Sequence, residues 1–333
     1  MKRILTIFIF VALLSGCTDQ SMTNKIETSE KTSQGQQVST SKKLEVITSF
    51  YPLYEIGTQI GGEKISVKNL VPAGVEPHDF EPTSRDLINL YNADLFLYNG
   101  AELEPWVERI MPDLEQHNVQ VLDQSALLKE VSIENTMAIH GHEEEAMDKH
   151  PEQGTVAVDP HFWLDPELYI LQTQAVGKKL IELDPAHTSY YEENTRKFVA
   201  KLSELHENYK INLKNCKNRT IVTSHAAFAY LAKRYDLEVL PISGISPGNE
   251  PSPKNMAEIS KLVKEKHITT IFTETSVDPR ITETIAKETG VKTLTLNPIE
   301  SVSQKQIEGG RNYVKIMEEN LQNLKNGLEC NEF

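Results

Sequence analysis

The sequence predicts an α/β protein of two lobes, each a mostly parallel sheet flanked by helices, joined by one long rigid helix. Short apolar runs alternate with helical patterns after residue 44, one long charged helical pattern interrupts this alternation, and the alternation then resumes. Strands that alternate with helices are typical of parallel sheets covered by helices. The interruption indicates two lobes rather than one continuous sheet.

The first residues form a separate export segment. Lys2 and Arg3 precede an apolar run, Ile4–Leu14, which is too short to span a bilayer comfortably, and small residues follow it. Residues 1–16 are therefore interpreted as a signal peptide. The letters LSGC, ending at Cys17, resemble the lipobox of bacterial lipoproteins, in which this cysteine carries the lipid. The alternative is a plain secretory signal with an unmodified cysteine.

Residues 17–43 are predicted to be a lipidated cysteine followed by a flexible tether, because they are rich in Ser, Thr, Gln and Lys and cannot bury a core. A coil of this length spans roughly 25–30 Å. The expected location is outside the cytoplasm, anchored to the cell membrane by the lipid, which favours a Gram-positive cell. The net charge of −14 argues against a nucleic-acid partner, since phosphate binding uses clustered Lys and Arg.

The first lobe is predicted over residues 44–185. The sequence TSRD, starting at Thr83, predicts a capping box that opens a helix. The predicted strands are Leu44–Phe50, Lys64–Val71, Asp94–Tyr98 and Val119–Leu122.

The linking helix is predicted over residues 186–214, where apolar residues recur at helical spacing and no Gly or Pro breaks the pattern. The second lobe is predicted over residues 215–333 and ends in an amphipathic helix. Its predicted strands are Thr220–Thr223, Glu238–Leu240, Ile268–Glu274 and Val291–Leu296, and its other helices lie near 226–235, 253–266 and 279–289.

Two cysteines remain once Cys17 is assigned to lipid: Cys216 and Cys330. An oxidising exterior permits them to form a disulfide, worth about 4–5 kcal/mol in the chain-entropy model. Two separate thiols fit the sequence equally well.

Three histidines occupy loop-like positions after predicted strands: His78, His161 and His225. In α/β proteins such positions carry ligand-binding groups, and neutral imidazole is the commonest side-chain ligand of metal ions. No local spacing such as HxxxH groups the three. Each of them, taken alone, is more often an ordinary hydrogen-bonded loop residue.

Longer segments point to a family. Their order and amino-acid sequences resemble those of the metal-binding solute receptors of zinc and manganese ABC importers, the cluster A-I (family 9) receptors, and the resemblance extends from Leu44 to Gly327. The resemblance implies a metal site in the cleft between the lobes, no catalysis, a monomer, and delivery of the metal to a membrane permease with its own ATPase. No GxxxxGK[ST] phosphate loop occurs in the chain itself. The segments are PAGVEPHDFEPTSRD, LYNGAELEPW, DPHFWLDP, VTSHAAFAYLAKRYDL, ISPGNEPSP, IFTETSVDPR and LNPIES.

The resemblance places the metal ligands at His78, His161, His225 and Glu300, two from each lobe. Manganese receptors of this family usually carry carboxylates at the third and fourth positions. Three imidazoles and one carboxylate suit tetrahedral Zn(II), so Zn(II) is the expected ligand and manganese is the alternative. Glu274, at a predicted strand end, is the competing carboxylate.

A polar loop over residues 140–152 contains His140, His142 and His150 among acidic residues. These histidines could collect zinc weakly and pass it to the cleft, and the alternative is an ordinary solvated loop.

Two other function classes compete with transport. A zinc metallohydrolase would need three protein ligands and an open position for water. A surface adhesin is a role often suggested for lipoproteins of this family.

Overall fold

The computed structural model describes residues 42–130, 158–248, 250–275 and 277–331. Among these residues, no helix is both long and apolar enough to cross a bilayer. Several predictions lie outside the described residues: the signal peptide 1–16, Cys17, the tether, and the loop with His140, His142 and His150.

The first lobe is built on a parallel sheet with strand order β2-β1-β3-β4. The predicted capping box is confirmed: Thr83 accepts a hydrogen bond from the Asp86 backbone, and the Asp86 carboxylate accepts one from the Thr83 backbone. The elements are β1 Leu44–Thr48, α1 Tyr51–Gly61, β2 Ile65–Asn69, α2 Ser84–Tyr91, β3 Leu95–Tyr98, α3 Val107–Gln116, β4 Gln120–Asp123, α4 Ala126–Glu130 and α5 Pro166–Leu183.

One long helix, α6, spans Thr188–Asn212 and connects the two lobes. It begins slightly later than predicted because Pro185–His187 form a short 3₁₀ turn. Its apolar stripe is buried against α1 and α5, and the same hydrophobic core continues into the second lobe. The buried residues of this stripe are Tyr191, Phe198, Leu202, Leu205 and Tyr209.

The second lobe repeats the arrangement of the first, with a parallel sheet of order β6-β5-β7-β8. The prediction of two parallel-sheet lobes is thereby confirmed. The elements are β5 Thr220–Thr223, α7 Ala229–Arg234, β6 Glu238–Pro241, α8 Pro253–Glu265, β7 Thr270–Thr273, α9 Arg280–Thr289, β8 Lys292–Thr295, α10 Gln304–Glu308 and α11 Tyr313–Gly327.

A disulfide joins Cys216 to Cys330. Backbone hydrogen bonds continue beside it, from Lys217 N to Glu329 O at 3.3 Å and from Asn218 N to Leu328 O at 3.0 Å. The bridge therefore ties the segment after α11 to the entry of β5.

Candidate metal centre

The four residues expected to bind metal converge between the lobes. His78 lies in the loop between β2 and α2, and His161 immediately precedes a 3₁₀ turn before α5. In the second lobe, His225 follows β5 and Glu300 follows β8. One ligand atom from each residue lies within 4.8 Å of the other three. The fold thus brings together side chains that are far apart in sequence.

Four of the six distances between these atoms match a tetrahedral zinc site, and the other two, from His78 to His225 and to Glu300, are within 4.8 Å. Bonds of about 2.0–2.1 Å at tetrahedral angles place neighbouring ligand atoms about 3.3 Å apart. His161 Nε2 lies 3.1 Å from His78 Nε2 and 3.4 Å from His225 Nε2. Glu300 Oε1 lies 3.3 Å from His225 Nε2 and 3.5 Å from His161 Nε2. Zn(II) therefore fits this donor set both chemically and in size.

Burial of the cluster also favours a cation. His161, His225 and Glu300 are essentially inaccessible, and the side chain of His78 is 8% exposed. Neither carboxylate oxygen of Glu300 has a hydrogen-bond partner within the described ranges. Because an uncompensated buried carboxylate is costly, the pocket needs positive charge, supplied by protons on the rings or by a metal ion.

A carboxylate orients each of the two most buried histidines. Asp159 Oδ1 accepts hydrogen bonds from the backbone N–H of His161 at 2.9 Å and from its Nδ1 at 2.7 Å. Glu274 accepts the equivalent pair from His225, at 3.0 Å from the backbone N–H and 2.5 Å from Nδ1. With the proton on Nδ1, each ring directs its Nε2 lone pair at the centre of the cluster.

Sheet register explains why Glu274 meets His225. Strands β5 and β7 are neighbours, and Thr223 pairs with Phe272. Two residues beyond that pair, β5 is followed by His225 and β7 by Glu274, both at the carboxyl edge of the sheet. Glu274 therefore contacts the far side of the His225 ring, and it does not belong to the four converging ligand residues.

His78 is held differently from the other two rings. Its backbone N–H donates to Glu76 Oε1 at 3.2 Å, and the same oxygen lies 4.0 Å from His78 Nε2. Burial lowers the pKa of His78 to about 3, so this ring is neutral, which is the form that binds a metal. Burial, reinforced by the negative charge of Glu300, raises the pKa of Glu76 to about 7.

The other three expected ligand residues have pKa values shifted toward their charged forms. Burial favours neutral His225, but the carboxylates of Glu274 and Glu300 outweigh it and raise its pKa well above the ordinary value. Burial likewise opposes the charge on His161, yet Asp159 and Glu300 raise its pKa. Burial also favours neutral Glu300, but the His225 and His161 charges lower its pKa. A metal ion must therefore displace protons from these rings.

A cavity of about 560 Å³ adjoins the loops that carry His78 and His225. Four carboxylates and one cation, Arg280, line its wall, and Arg280 pairs with Asp278, so the other three carboxylates leave the wall net negative. These acidic residues are Glu76, Asp79, Glu250 and Asp278.

The family model described as the zinc-uptake complex component A, periplasmic (ZnuA), matches residues 46–327. The chain belongs to the ZnuA family. Its sequence is 37% identical over 286 residues to the high-affinity zinc uptake system protein ZnuA of Bacillus subtilis, covering 86% of this chain and 88% of that protein.

Two streptococcal proteins extend the comparison. The zinc-binding lipoprotein AdcA of Streptococcus pneumoniae is 35% identical over 284 residues, which cover 85% of this chain but 55% of that longer protein. The crystal structure of its Zn(II)-bound ZnuA-like domain is similar with a TM-score of 0.71 at 33% identity, covering 86% of this chain and all of that domain. The laminin-binding protein Lmb of Streptococcus agalactiae, described as bifunctional with adhesin and metal transporting activity, gives a TM-score of 0.71 at 35% identity, covering 86% and 99% of the two chains.

Sequence reasoning missed the supporting carboxylates. Asp159 precedes His161 by two residues, a spacing at which a carboxylate can bond the following backbone, and this was the available signal. Glu274 was considered only as a rival ligand. Trp163, two residues after His161, is fully buried, and its indole Nε1 donates to Pro298 O in the other lobe at 2.8 Å.

Proposed function

We propose that this protein is an extracytoplasmic receptor that captures Zn(II) in the cleft between its lobes and delivers it to the permease of an ABC importer. The observation that carries the proposal is the convergence of four ligand atoms to within 4.8 Å of one another, with four of their six distances at tetrahedral spacing, from His78, His161, His225 and Glu300. Each lobe supplies two of them. The zinc uptake role of the Bacillus subtilis relative and the Zn(II)-bound AdcA domain support the same function.

Zinc is favoured over manganese by the ligand types. Three imidazole nitrogens and one carboxylate suit Zn(II), whereas Mn(II) prefers more oxygen ligands and a higher coordination number. His225 is the position that decides, because a carboxylate there would give two oxygen-donating residues and two nitrogen-donating ones.

Anchoring and partners complete the proposal. Lipid on Cys17 would hold the receptor at the cell membrane, and residues 18–43 would serve as its tether. AdcA is named a lipoprotein, which supports this arrangement. The permease and its ATPase would be separate chains. The loop with His140, His142 and His150 stays a predicted auxiliary site for weakly bound zinc.

Catalysis is disfavoured because the four protein ligands complete a tetrahedral site and leave no position for an activated water. Adhesion is a second candidate function. The description of Lmb as an adhesin with metal transporting activity favours it, and the two roles are compatible in one receptor.

The function is tested by titrating metal-free protein with zinc and manganese, for the wild type and for His225→Glu. The wild type should bind zinc more tightly than manganese. Exchange of the imidazole ligand for a carboxylate should weaken zinc binding by at least the roughly 10- to 100-fold typical of residues that support ligands. The zinc-to-manganese affinity ratio should also fall.

His117→Glu provides the matched control, because His117 is exposed on the first lobe and stacks on Tyr91 away from the ligand atoms. It makes the same change of side chain and should leave both affinities unchanged. Tighter binding of manganese than zinc by the wild type would contradict the zinc assignment.

A further inference from the structure

The ligand Glu300 follows a backbone conformation that its neighbour does not favour. Ile299 has φ of 61° and is completely buried. Left-handed backbone is a genuine outlier for a β-branched residue. Such a conformation persists only when surrounding contacts enforce it. The direction of the Glu300 side chain therefore depends on whatever holds this turn.

Two asparagines hold the turn. Asn320, on α11, accepts a hydrogen bond from Asn297 N and donates one from Nδ2 to Asn297 O, both at 2.8 Å. Asn297 in turn accepts a hydrogen bond from Ile299 N through its own Oδ1 at 2.7 Å. A continuous series of hydrogen bonds thus runs from α11 to the residue immediately before Glu300.

Asn320 is an unusual residue for its position. It is 2% exposed, on a helix face whose other buried residues are mostly apolar, including Ile316, Met317, Leu321 and Leu324. Burying an amide is unfavourable unless its polar atoms are hydrogen-bonded. Its carbonyl oxygen and its Nδ2 group are both bonded to the backbone of the ligand turn, which accounts for a polar side chain at this point.

The other lobe completes the restraint. Trp163 Nε1 donates to Pro298 O at 2.8 Å, and the Trp163 carbonyl accepts from Tyr313 OH, also on α11, at 2.7 Å. The turn is therefore bonded on one side to α11 and on the other to the segment that carries His161.

We propose that Asn320 is a positioning residue for the metal ligand Glu300. Its two hydrogen bonds fix Asn297, which fixes the left-handed turn at Ile299 and so sets the carboxylate at its distances from His161 and His225. This inference rests on the proposed function, since it requires that Glu300 binds the metal.

The test is a double-mutant cycle read by zinc affinity, using Asn320→Ala and Glu300→Gln. In the wild-type background, Asn320→Ala should weaken zinc binding roughly 10- to 100-fold, the range typical of residues that support a metal ligand. In the Glu300→Gln background the same substitution should change affinity by no more than about twofold, because the group it positions has already been altered.

Asn323→Ala is the matched control. Asn323 lies on the same helix, is partly exposed, and donates from Nδ2 to Thr295 O at 2.8 Å, before the ligand turn. Its loss removes an equivalent amide hydrogen bond without touching Asn297, so zinc affinity should stay at the wild-type value.

Equal losses of affinity for Asn320→Ala in both backgrounds, or no loss in either, would overturn the inference. If circular dichroism shows that Asn320→Ala does not fold, Asn297→Ala takes its place in the cycle, because it removes the acceptor for Ile299 N alone. A wild type that binds no zinc would instead overturn the proposed function.

Discussion

Replacement of Glu274 by Gln should separate two effects of this carboxylate on zinc binding. Glu274 uses its two oxygens to accept the backbone N–H and the ring Nδ1–H of His225. Gln has one acceptor oxygen, so one of these buried donors would face an NH₂ group. In the metal-free protein the ring can turn to relieve this conflict. In the zinc complex it cannot, because Nε2 must face the metal.

The size of the effect follows from that lost acceptor. An unsatisfied buried donor costs about 1–3 kcal/mol, which corresponds to about 5- to 150-fold in an equilibrium constant. This range overlaps the roughly 10- to 100-fold loss typical of groups that orient a metal ligand. We therefore expect Glu274→Gln to bind zinc roughly 10- to 100-fold more weakly than the wild type at pH 8.

Charge adds a second, opposite effect. The carboxylate of Glu274 raises the pKa of His225, so its removal should lower that pKa and reduce proton competition. The pH dependence of zinc affinity between pH 6 and 8 should become shallower than in the wild type. Competition with a zinc chelator at several pH values measures both quantities.

Glu238→Gln is the control for this experiment. Glu238 lies in the same lobe and pairs with Lys266 and Thr220 instead of a metal ligand. It removes the same charge and should behave as wild type. An affinity of Glu274→Gln within twofold of wild type at pH 8, together with an unchanged pH slope, would refute the orienting role.

Two further predictions concern the wild-type site and the disulfide. Zinc affinity should rise with pH through neutrality, because the raised pKa values of His161 and His225 favour protons on the rings that zinc must displace. Titration calorimetry at pH 7 in two buffers of different ionisation enthalpy should show that zinc binding releases protons. Zinc binding without proton release would contradict the assignment. The Cys216→Ser/Cys330→Ser double variant should lose up to about 5 kcal/mol of unfolding free energy, since the bridge spans 114 residues. Urea denaturation of the metal-free protein measures this loss. A loss below about 1 kcal/mol would indicate that the bridge does not restrain the unfolded chain.

The sequence predicted the strands far better than the helices packed against them. All eight of these predicted strands are present. They could be predicted because short β-branched and aromatic runs bounded by turn residues are a local signal. Helices α1, α3, α4, α5 and α10 were not predicted. Eight of the eleven residues of α1 are buried, so it presents little of the polar face that marks a surface helix. Helix α5 buries polar residues, including Gln172 and Thr173, which disguise its apolar stripe.

The sequence pattern also could not predict the close packing of α5 on α6. Gly177 lies so near Thr195 that a Cβ there would come within 2.4 Å of its hydroxyl. In the sequence, this residue is only a glycine in a helical stretch, which lowers helix propensity. The reason for the glycine is a tertiary contact.

The site shows the same division between local and long-range information. The four ligand residues were carried over from a family resemblance, and composition or spacing alone did not group them. The contact between Glu274 and His225 depends on which strands are neighbours, and 49 residues separate the two. The left-handed conformation of Ile299 contradicts its own local preference, and long-range hydrogen bonds from Asn320 and Trp163 hold the turn that contains it.

The charge balance of the cluster explains why two buried histidines have raised pKa values in a metal receptor. Asp159, Glu274 and Glu300 bring three negative charges to a region with almost no solvent. The raised pKa values of His161 and His225 favour protons on both rings in the metal-free protein, which would supply two positive charges. Zn(II) bound to the neutral rings supplies the same two. Exchange of two protons for one zinc ion would therefore leave the net charge of the buried cluster unchanged, so zinc binding would not increase the charge imbalance left by the third carboxylate.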